Sequence, residues 1–217
     1  SETKAHMIHT DPPYNVAYGS QKNPRHKQRA IANDDMGEAE WEKFCHAWIQ
    51  HMDAYNEGDA YVWGASGPHG ILMRAWLIQN GLHWSATIIW KKDKLVLGRA
   101  NYQRLYEPCF YGWSGTSSFV GDRKQVDVWD FDRPRASKEH PTMKPVELCG
   151  QAISLSSKRG DIVLDPFLGS GSTMVAAHQL GRKCVGIEMD PGYCQVIVNR
   201  MLSLDPTLKV TYENANE

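Results

Sequence analysis

The chain reads as an α/β sandwich with a mostly parallel sheet, for three reasons. Short runs rich in β-branched and aromatic residues alternate with longer runs of helical periodicity. The short run His6–Thr10 leads straight into the Pro-bearing turn Asp11-Pro12-Pro13-Tyr14. The short run Ile162–Leu164 leads into the Gly-bearing turn Asp165-Pro166-Phe167-Leu168-Gly169-Ser170-Gly171. The 217 residues fit one large domain or two small ones, and no repeat or break in composition forces a second.

The elements follow in order. Residues 20–35 are polar and loop-like. Glu38 to about Asn56 is expected to be helical, because Trp41, Phe44, Cys45, Trp48, Ile49 and Met52 recur at intervals of three and four. Gly58-Asp59 ends it, and Ala60–Trp63 is a buried strand candidate. Pro68–Gln79 has a helix start at its proline and a stop at Asn80-Gly81. Leu82–Trp90 and Pro108–Trp113 are strands, and residues 114–143 form a long irregular excursion with a short strand candidate at Val126–Trp129. Helix Pro145–Ser157, strand Ile162–Leu164, helix Ser172–Leu180, strand Cys184–Ile187 and helix Pro191–Leu202 complete the alternation. Leu208–Tyr212 reads as a last strand or a tail. A sheet strand beginning at residue 6 suggests a catalytic domain taken from a longer protein.

Composition narrows the class. Apolar residues make up 41%, enough for a real core, and 24 Lys+Arg against 25 Asp+Glu leave a net charge of -1. That balance does not announce nucleic-acid binding, but local clusters set the surface field. Eight Trp and nine Tyr are many for this length, and aromatics serve both cores and base stacking. Five cysteines are odd in number and lack a zinc-like doublet, and His46 and His51 are not spaced as a helix-face pair. No metal is expected. With no membrane-length run and no signal peptide, the expectation is a cytoplasmic protein without a membrane partner.

The turn after Ile162–Leu164 has the makings of a cofactor loop. Glycines let the backbone turn tightly and approach a ligand. About twenty residues on, Val185-Gly186-Ile187-Glu188 places a carboxylate where it can accept both hydroxyls of a ribose. The dinucleotide fingerprint lacks its third glycine here, and Asp165 repels a pyrophosphate while suiting an ammonium or sulfonium. S-adenosylmethionine carries both, so it fits better than NAD. The plain alternative is a βαβ turn whose glycines only allow packing.

The turn at 11–14 has the makings of an amine site. Pro12 and Pro13 contribute no N–H and fix their own φ, so a rigid turn presents carbonyl oxygens and the Asp11 carboxylate. Those acceptors match an exocyclic amine, and the Tyr14 ring can stack on a base. Methyl transfer to such an amine needs mainly orientation and charge placement.

With both segments in hand, the chain resembles the catalytic domain of a DNA amino-methyltransferase of the permuted β class, in which Asp-Pro-Pro-Tyr precedes Phe-x-Gly-x-Gly. His140-Pro141-Thr142-Met143-Lys144-Pro145 matches the family's motif before the cofactor strand, and the likeness spans residues 6–203. The Asp11 form is more typical of N6-adenine than of N4-cytosine enzymes. The chain is most similar to a phage or prophage group whose domain often follows a ParB-like nuclease domain, through Tyr106–Trp113 and Gly121–Gln125. The resemblance implies a Rossmann-like S-adenosylmethionine-dependent methyltransferase fold, mostly parallel and seven-stranded, with one antiparallel strand near 107–113. It implies that Asp11, Pro12, Pro13 and Tyr14 are catalytic, Asp11 also bordering the cofactor. Asp165, Phe167, Gly169, Ser170 and Gly171 would wall the methionine part, Glu188 would hold the ribose, and Thr142 and Lys144 would lie beside the cofactor. DNA is the implied partner, with a role in restriction-modification, and its target base must be flipped or single-stranded to reach Asp11.

Three stretches are candidate DNA contacts: residues 20–35 with Lys22, Arg25, His26, Lys27 and Arg29; 92–106 with Lys92, Lys94, Arg99 and Arg104; and 114–139 with Arg123, Lys124, Arg133, Arg135 and Lys138. Trp113, Phe119, Trp129 and Phe131 interleave with the last. Asn33-Asp34-Asp35 ends the first stretch, and an acidic residue there is placed to touch the cofactor or cap the helix that begins near residue 38. No separate recognition domain is evident, so a second subunit of a homodimer or another partner is an expected contributor. The rival readings are N4-cytosine or RNA amine methylation, an inactive cofactor- or DNA-binding module, and an NAD-dependent oxidoreductase.

Overall fold

Strand β1 (Ala5–Thr10) is apolar toward both faces, with Met7 and Ile8 fully buried, and the sheet is built outward from it. The computed structural model describes residues 4–16, 34–97, 101–134 and 143–213. Helix α1 (Glu38–Tyr55) leads to β2 (Asn56–Trp63), and α2 (Pro68–Gln79) leads to β3 (His83–Val96). Then come β4 (Arg104–Trp113), β5 (Val128–Asp130), α3 (Val146–Ser156), β6 (Ile162–Asp165), α4 (Ser172–Gln179), β7 (Lys183–Gly186) and α5 (Pro191–Leu204). The seven strands lie in the order β5-β3-β4-β2-β1-β6-β7. Among the described strands only β4 runs antiparallel to its neighbours, as expected for the strand near 107–113.

Alternation along the strands sorts side chains into two cores. Ile8, Ala60, Val62 and Phe110 face α1 and α2, where Trp41, Cys45, Trp48, Ile49 and Met52 recur at the predicted helical spacing. Met7, Tyr61, Trp63, Cys109 and Tyr111 face the other way, toward Leu148, Cys149, Ala152 and Ile153 of α3 and Ala176 and Ala177 of α4. Asp190 caps α5 by accepting from Gly192 N and Tyr193 N, and Pro191 follows at the first helical position.

Some elements run differently from the sequence reading. Strand β2 starts at Asn56, immediately after α1, because β1 offers a pairing partner from Ala5 onward. Strands β3 and β4 pair beyond the apolar runs, to Lys91↔Tyr106 and Val96↔Arg104. Residues 92–96 and 104–106 of the basic stretch are therefore arms of a β3–β4 hairpin rather than loop. Residues 208–213 form no strand, which decides between strand and tail.

Topology positions the site. The parallel strands end at one edge of the sheet. Neighbours β1 and β6 meet there in the registers Met7↔Val163 and Ile8↔Leu164. From this pair the chain runs to opposite sides, to β2 through α1 and to β7 through α4. That crevice is where open α/β sheets bind ligands.

Candidate active site

The turn leaving β1 is braced from a neighbouring segment. Asp34 accepts from Tyr14 N at 3.0 Å and Val16 N at 3.3 Å. Asn15, in the left-handed region at φ 54°, exchanges bonds with Met36: its Nδ2 donates to Met36 O at 3.0 Å and its Oδ1 accepts from Met36 N at 2.7 Å. Asp34 thus braces the turn and is not the cap of α1, whose N-cap is Gly37.

Both oxygens of Asp11 are engaged. The Tyr14 hydroxyl donates to Oδ1, and Lys144 Nζ donates to Oδ2 at 2.6 Å. Lys144 also donates to Tyr14 Oη at 3.4 Å and lies 5.4 Å from the Trp63 ring centroid. Burial, with Asp11 and Glu107 nearby, pushes the Tyr14 hydroxyl well above its ordinary value, so it is a neutral donor. Lys144 is 7% exposed; burial works against its charge, but Asp11 and Glu107 outweigh it and raise its pKa. Glu107 forms an ion pair with Lys144 at 2.9 Å and accepts a hydrogen bond from Lys92. Burial opposes the Glu107 charge, yet the two lysines hold its pKa down to about 2.

The turn leaving β6 is assembled mostly from its own backbone. Phe167 N donates to Asp165 Oδ1 at 3.0 Å, Leu168 N to Ile187 O at 2.9 Å, and Gly171 N to Leu168 O at 2.8 Å. Gly169 and Gly171 have φ of 54° and 81°, and a Cβ on Gly171 would meet Ile197 Cγ1 at 3.0 Å. Asp165 is 3% exposed, and burial raises its pKa to about 6 against the hydroxyls of Thr173 and Thr10.

Hydrogen bonds from β1, β2 and α4 tie the two turns together. Trp63 Nε1 donates to His9 Nε2 at 3.0 Å, so His9 Nδ1 carries the proton facing Thr173 Oγ1, also at 3.0 Å. Burial and then Lys144 lower the His9 pKa to about 3, keeping the ring neutral. Thr10 Oγ1 donates to Asp165 Oδ1 at 2.8 Å. Ser172 Oγ donates to Lys144 O at 2.8 Å, fixing the lysine's backbone to the start of α4.

One cleft of about 1750 Å³ takes in both turns. Asp11, Pro12, Pro13, Tyr14, Lys144, Asp165, Phe167, Gly169, Ser170 and Glu188 all line it. Gly171 is not among the lining residues; it is the left-handed N-cap of α4 and turns the chain behind the loop. Thr142 lies outside the described residues, as does the basic run 22–29. Phe167 packs with Phe44 at 5.8 Å and Trp48 at 5.6 Å between ring centroids, forming an aromatic wall. At the end of β7, Glu188 is joined on the cleft by Val185, Ile187 and Met189, all exposed apolar side chains.

The candidate DNA-facing stretches divide by position. Lys92, Lys94, Arg104 and Tyr106 of the hairpin, and Asp132, Arg133 and Pro134, line the same cleft. Residues 114–120 instead leave β4 at the opposite edge of the sheet, because β4 is antiparallel. There Ser118 Oγ donates toward His6 O and Ser156 O, and Val120 N donates to Leu155 O. Trp129 is buried, its Nε1 donating to Val126 O, and Trp113 packs on His83.

Sequence reasoning missed Glu107 and His9, and it offered Lys92 to DNA where the lysine is buried against Glu107. The one visible signal was a carboxylate, Glu107, at the entrance of an otherwise apolar strand; nothing local paired it with Lys144.

The DNA methylase family of N6 and N4 methyltransferases matches residues 5–199. The type II methyltransferase M2.LlaDCHI of Lactococcus lactis subsp. cremoris is 26% identical over 225 residues, covering 90% of this chain and 81% of that protein. The crystal structure of the M1.HpyAVI–SAM complex is similar with a TM-score of 0.70 at 23% identity, over 92% of this chain and 89% of that one. The cytosine-N4-specific PvuII DNA methyltransferase has a TM-score of 0.73 at 15% identity, over 96% and 82%. These two structural likenesses are likenesses of fold.

Proposed function

The chain belongs to the DNA methylase family, and on that premise we propose that it transfers the methyl group of S-adenosylmethionine to an exocyclic amine of a base in DNA. The observation that carries this reading is the meeting of the Asp11 turn and the Asp165 loop at adjacent strand ends in one cleft. The residues present fit the methyl donor. A buried carboxylate at Asp165 suits its positive charge, Phe44, Trp48 and Phe167 make an apolar wall, and Glu188 stands at the end of β7 for a ribose.

When bound, S-adenosylmethionine supplies a methyl group on a positively charged sulfur, which leaves as a neutral thioether once the amine lone pair has taken the methyl. The protein's part is orientation and charge. Asp11 and the Pro12 carbonyl accept hydrogen bonds from the target amine and aim its lone pair into the cleft. A carboxylate offers about four lone-pair sites, so Asp11 can accept the amine beside Tyr14 and Lys144. Asp11 also faces the positive charge that grows on the nitrogen during attack. The proton leaves afterwards, so no strong base is needed. Tyr14 stacks on the flipped base.

DNA reaches the cleft past the β3–β4 hairpin. Lys94 and Arg104 line the approach, and Leu97 and Tyr102 stand 82% and 90% exposed near its tip. This charge and apolar surface suit phosphates and unstacked bases.

The base itself has two readings. The Asp11-Pro12-Pro13-Tyr14 form supports adenine N6. The shared fold of the cytosine-N4-specific PvuII DNA methyltransferase supports the alternative, cytosine N4. Incubation with tritiated S-adenosylmethionine and defined oligonucleotides, followed by nucleoside analysis, tests both. Label in N6-methyladenine or N4-methylcytosine is the expected result. No label in any DNA substrate would refute the proposed activity.

A further inference from the structure

Four charged groups run in single file from the hairpin to the catalytic turn: Lys92, Glu107, Lys144 and Asp11. The two lysines are 8% and 7% exposed, so each depends on its carboxylate partners rather than on water. Lys144 lies between two carboxylates, 2.6 Å from Asp11 Oδ2 and 2.9 Å from Glu107 Oε2. Glu107 in turn gives one oxygen to each lysine. The Glu107 side chain enters from β4, Lys144 from the segment before α3, and Asp11 from the end of β1.

Consider what each partner does to Asp11. A buried ammonium bound to Asp11 alone would cancel the charge that the target amine needs. A second carboxylate on the same ammonium draws its charge away. We propose that Glu107 is a positioning residue for methyl transfer: by sharing Lys144 with Asp11, it leaves Asp11 negative enough to stabilise the nitrogen as it becomes positive. The proposal rests on the amine-methylation reading above and deepens it. Glu107 does not touch the reacting atoms; it acts through Lys144. Lys92 has a different part, balancing Glu107 from the hairpin side. The low pKa of Glu107 is consistent with a carboxylate held charged between two cations.

The role predicts a split between rate and affinity. In Glu107→Gln, kcat for methyl transfer should fall by about 10²-fold, as for a misplaced catalytic group, while KM for DNA and for S-adenosylmethionine stays within about threefold. Two buried lysines with one carboxylate also threaten folding, so a charge-balanced variant is needed. Glu107→Gln combined with Lys92→Met removes one cation with the lost anion. Its melting temperature should return toward the wild-type value while kcat stays low, because Lys144 still bears on Asp11 alone. Glu107→Asp, which keeps the carboxylate, should recover part of the rate. A merely structural Glu107 predicts the opposite: rate returning in step with stability in the double variant. Wild-type kcat in Glu107→Gln, or in the double variant, would overturn the proposal alone. Absence of transfer by the wild-type protein in the same assay would overturn the activity reading, and the proposal with it.

Discussion

The two turns that meet in the cleft are built in opposite ways. The loop after β6 is held by short-range backbone bonds, such as Gly171 N to Leu168 O, and by two glycines at positive φ. The turn after β1 is held by charges that come from far along the chain. Lys144 reaches Asp11 from 133 residues away, and Glu107 and Lys92 extend that line of charge into another pair of strands. Geometry makes the first region and electrostatics makes the second. A loop of the first kind should respond to changes in backbone shape. A turn of the second kind should respond to changes in charge while its shape survives.

The sharpest way to break that contrast is Asp11→Ala. Methyl transfer should fall on the order of 10³-fold, the scale of losing a group that stabilises developing charge. Radiolabel incorporation measures it, and near wild-type rates would remove Asp11 from the mechanism. On the other side of the cleft, Gly171→Ala places a Cβ at 3.0 Å from Ile197 Cγ1 and forces an L-residue to φ 81°. Left-handed strain of about 1–2 kcal/mol should lower the melting temperature measurably by differential scanning calorimetry. An unchanged melting temperature would show that the loop tolerates a side chain there.

Acid should expose a charge-dependent feature of the geometric side. Burial raises the Asp165 pKa to about 6, so its carboxylate is lost as the pH falls through that value. Affinity for S-adenosylmethionine should be constant above about pH 7 and weaken by up to about tenfold per unit below 6. A flat calorimetric profile from pH 5 to 8 would mean that Asp165 does not face the positive charge. The smallest effect belongs to the hairpin. Lys94→Gln with Arg104→Gln should reduce the salt slope of DNA binding by about 0.9 for each phosphate that is no longer neutralised. An unchanged slope would move the DNA path elsewhere.

The same contrast explains what is legible in the sequence. The Asp165–Gly171 loop is legible because its information is local: a strand, a Gly-bearing turn and a helix follow one another. Helix α1 is legible for the same reason, through the spacing of Trp41, Cys45, Trp48 and Met52. The partners of Asp11 are not. Nothing in the neighbourhood of Glu107 or Lys92 says which carboxylate or ammonium they meet, since the antiparallel pairing of β3 with β4 brings Lys92 beside Glu107 and the segment before α3 brings Lys144 to Glu107. His9 is hidden inside an apolar strand, and its bonds to Trp63 and Thr173 depend on β2 and α4 flanking β1. The full extent of the hairpin is also hidden, because backbone pairing carries it past the apolar residues that mark a strand in sequence.

One measurement bears most directly on the division of labour between the turns: single-turnover methyl transfer in Asp165→Asn and Asp11→Ala, titrated with S-adenosylmethionine. If the β6 loop binds the donor and the β1 turn binds the amine, rising donor concentration should restore the Asp165→Asn rate toward wild type and leave Asp11→Ala inactive. Rescue of Asp11→Ala by excess donor, or an Asp165→Asn variant that no concentration restores, would contradict that division.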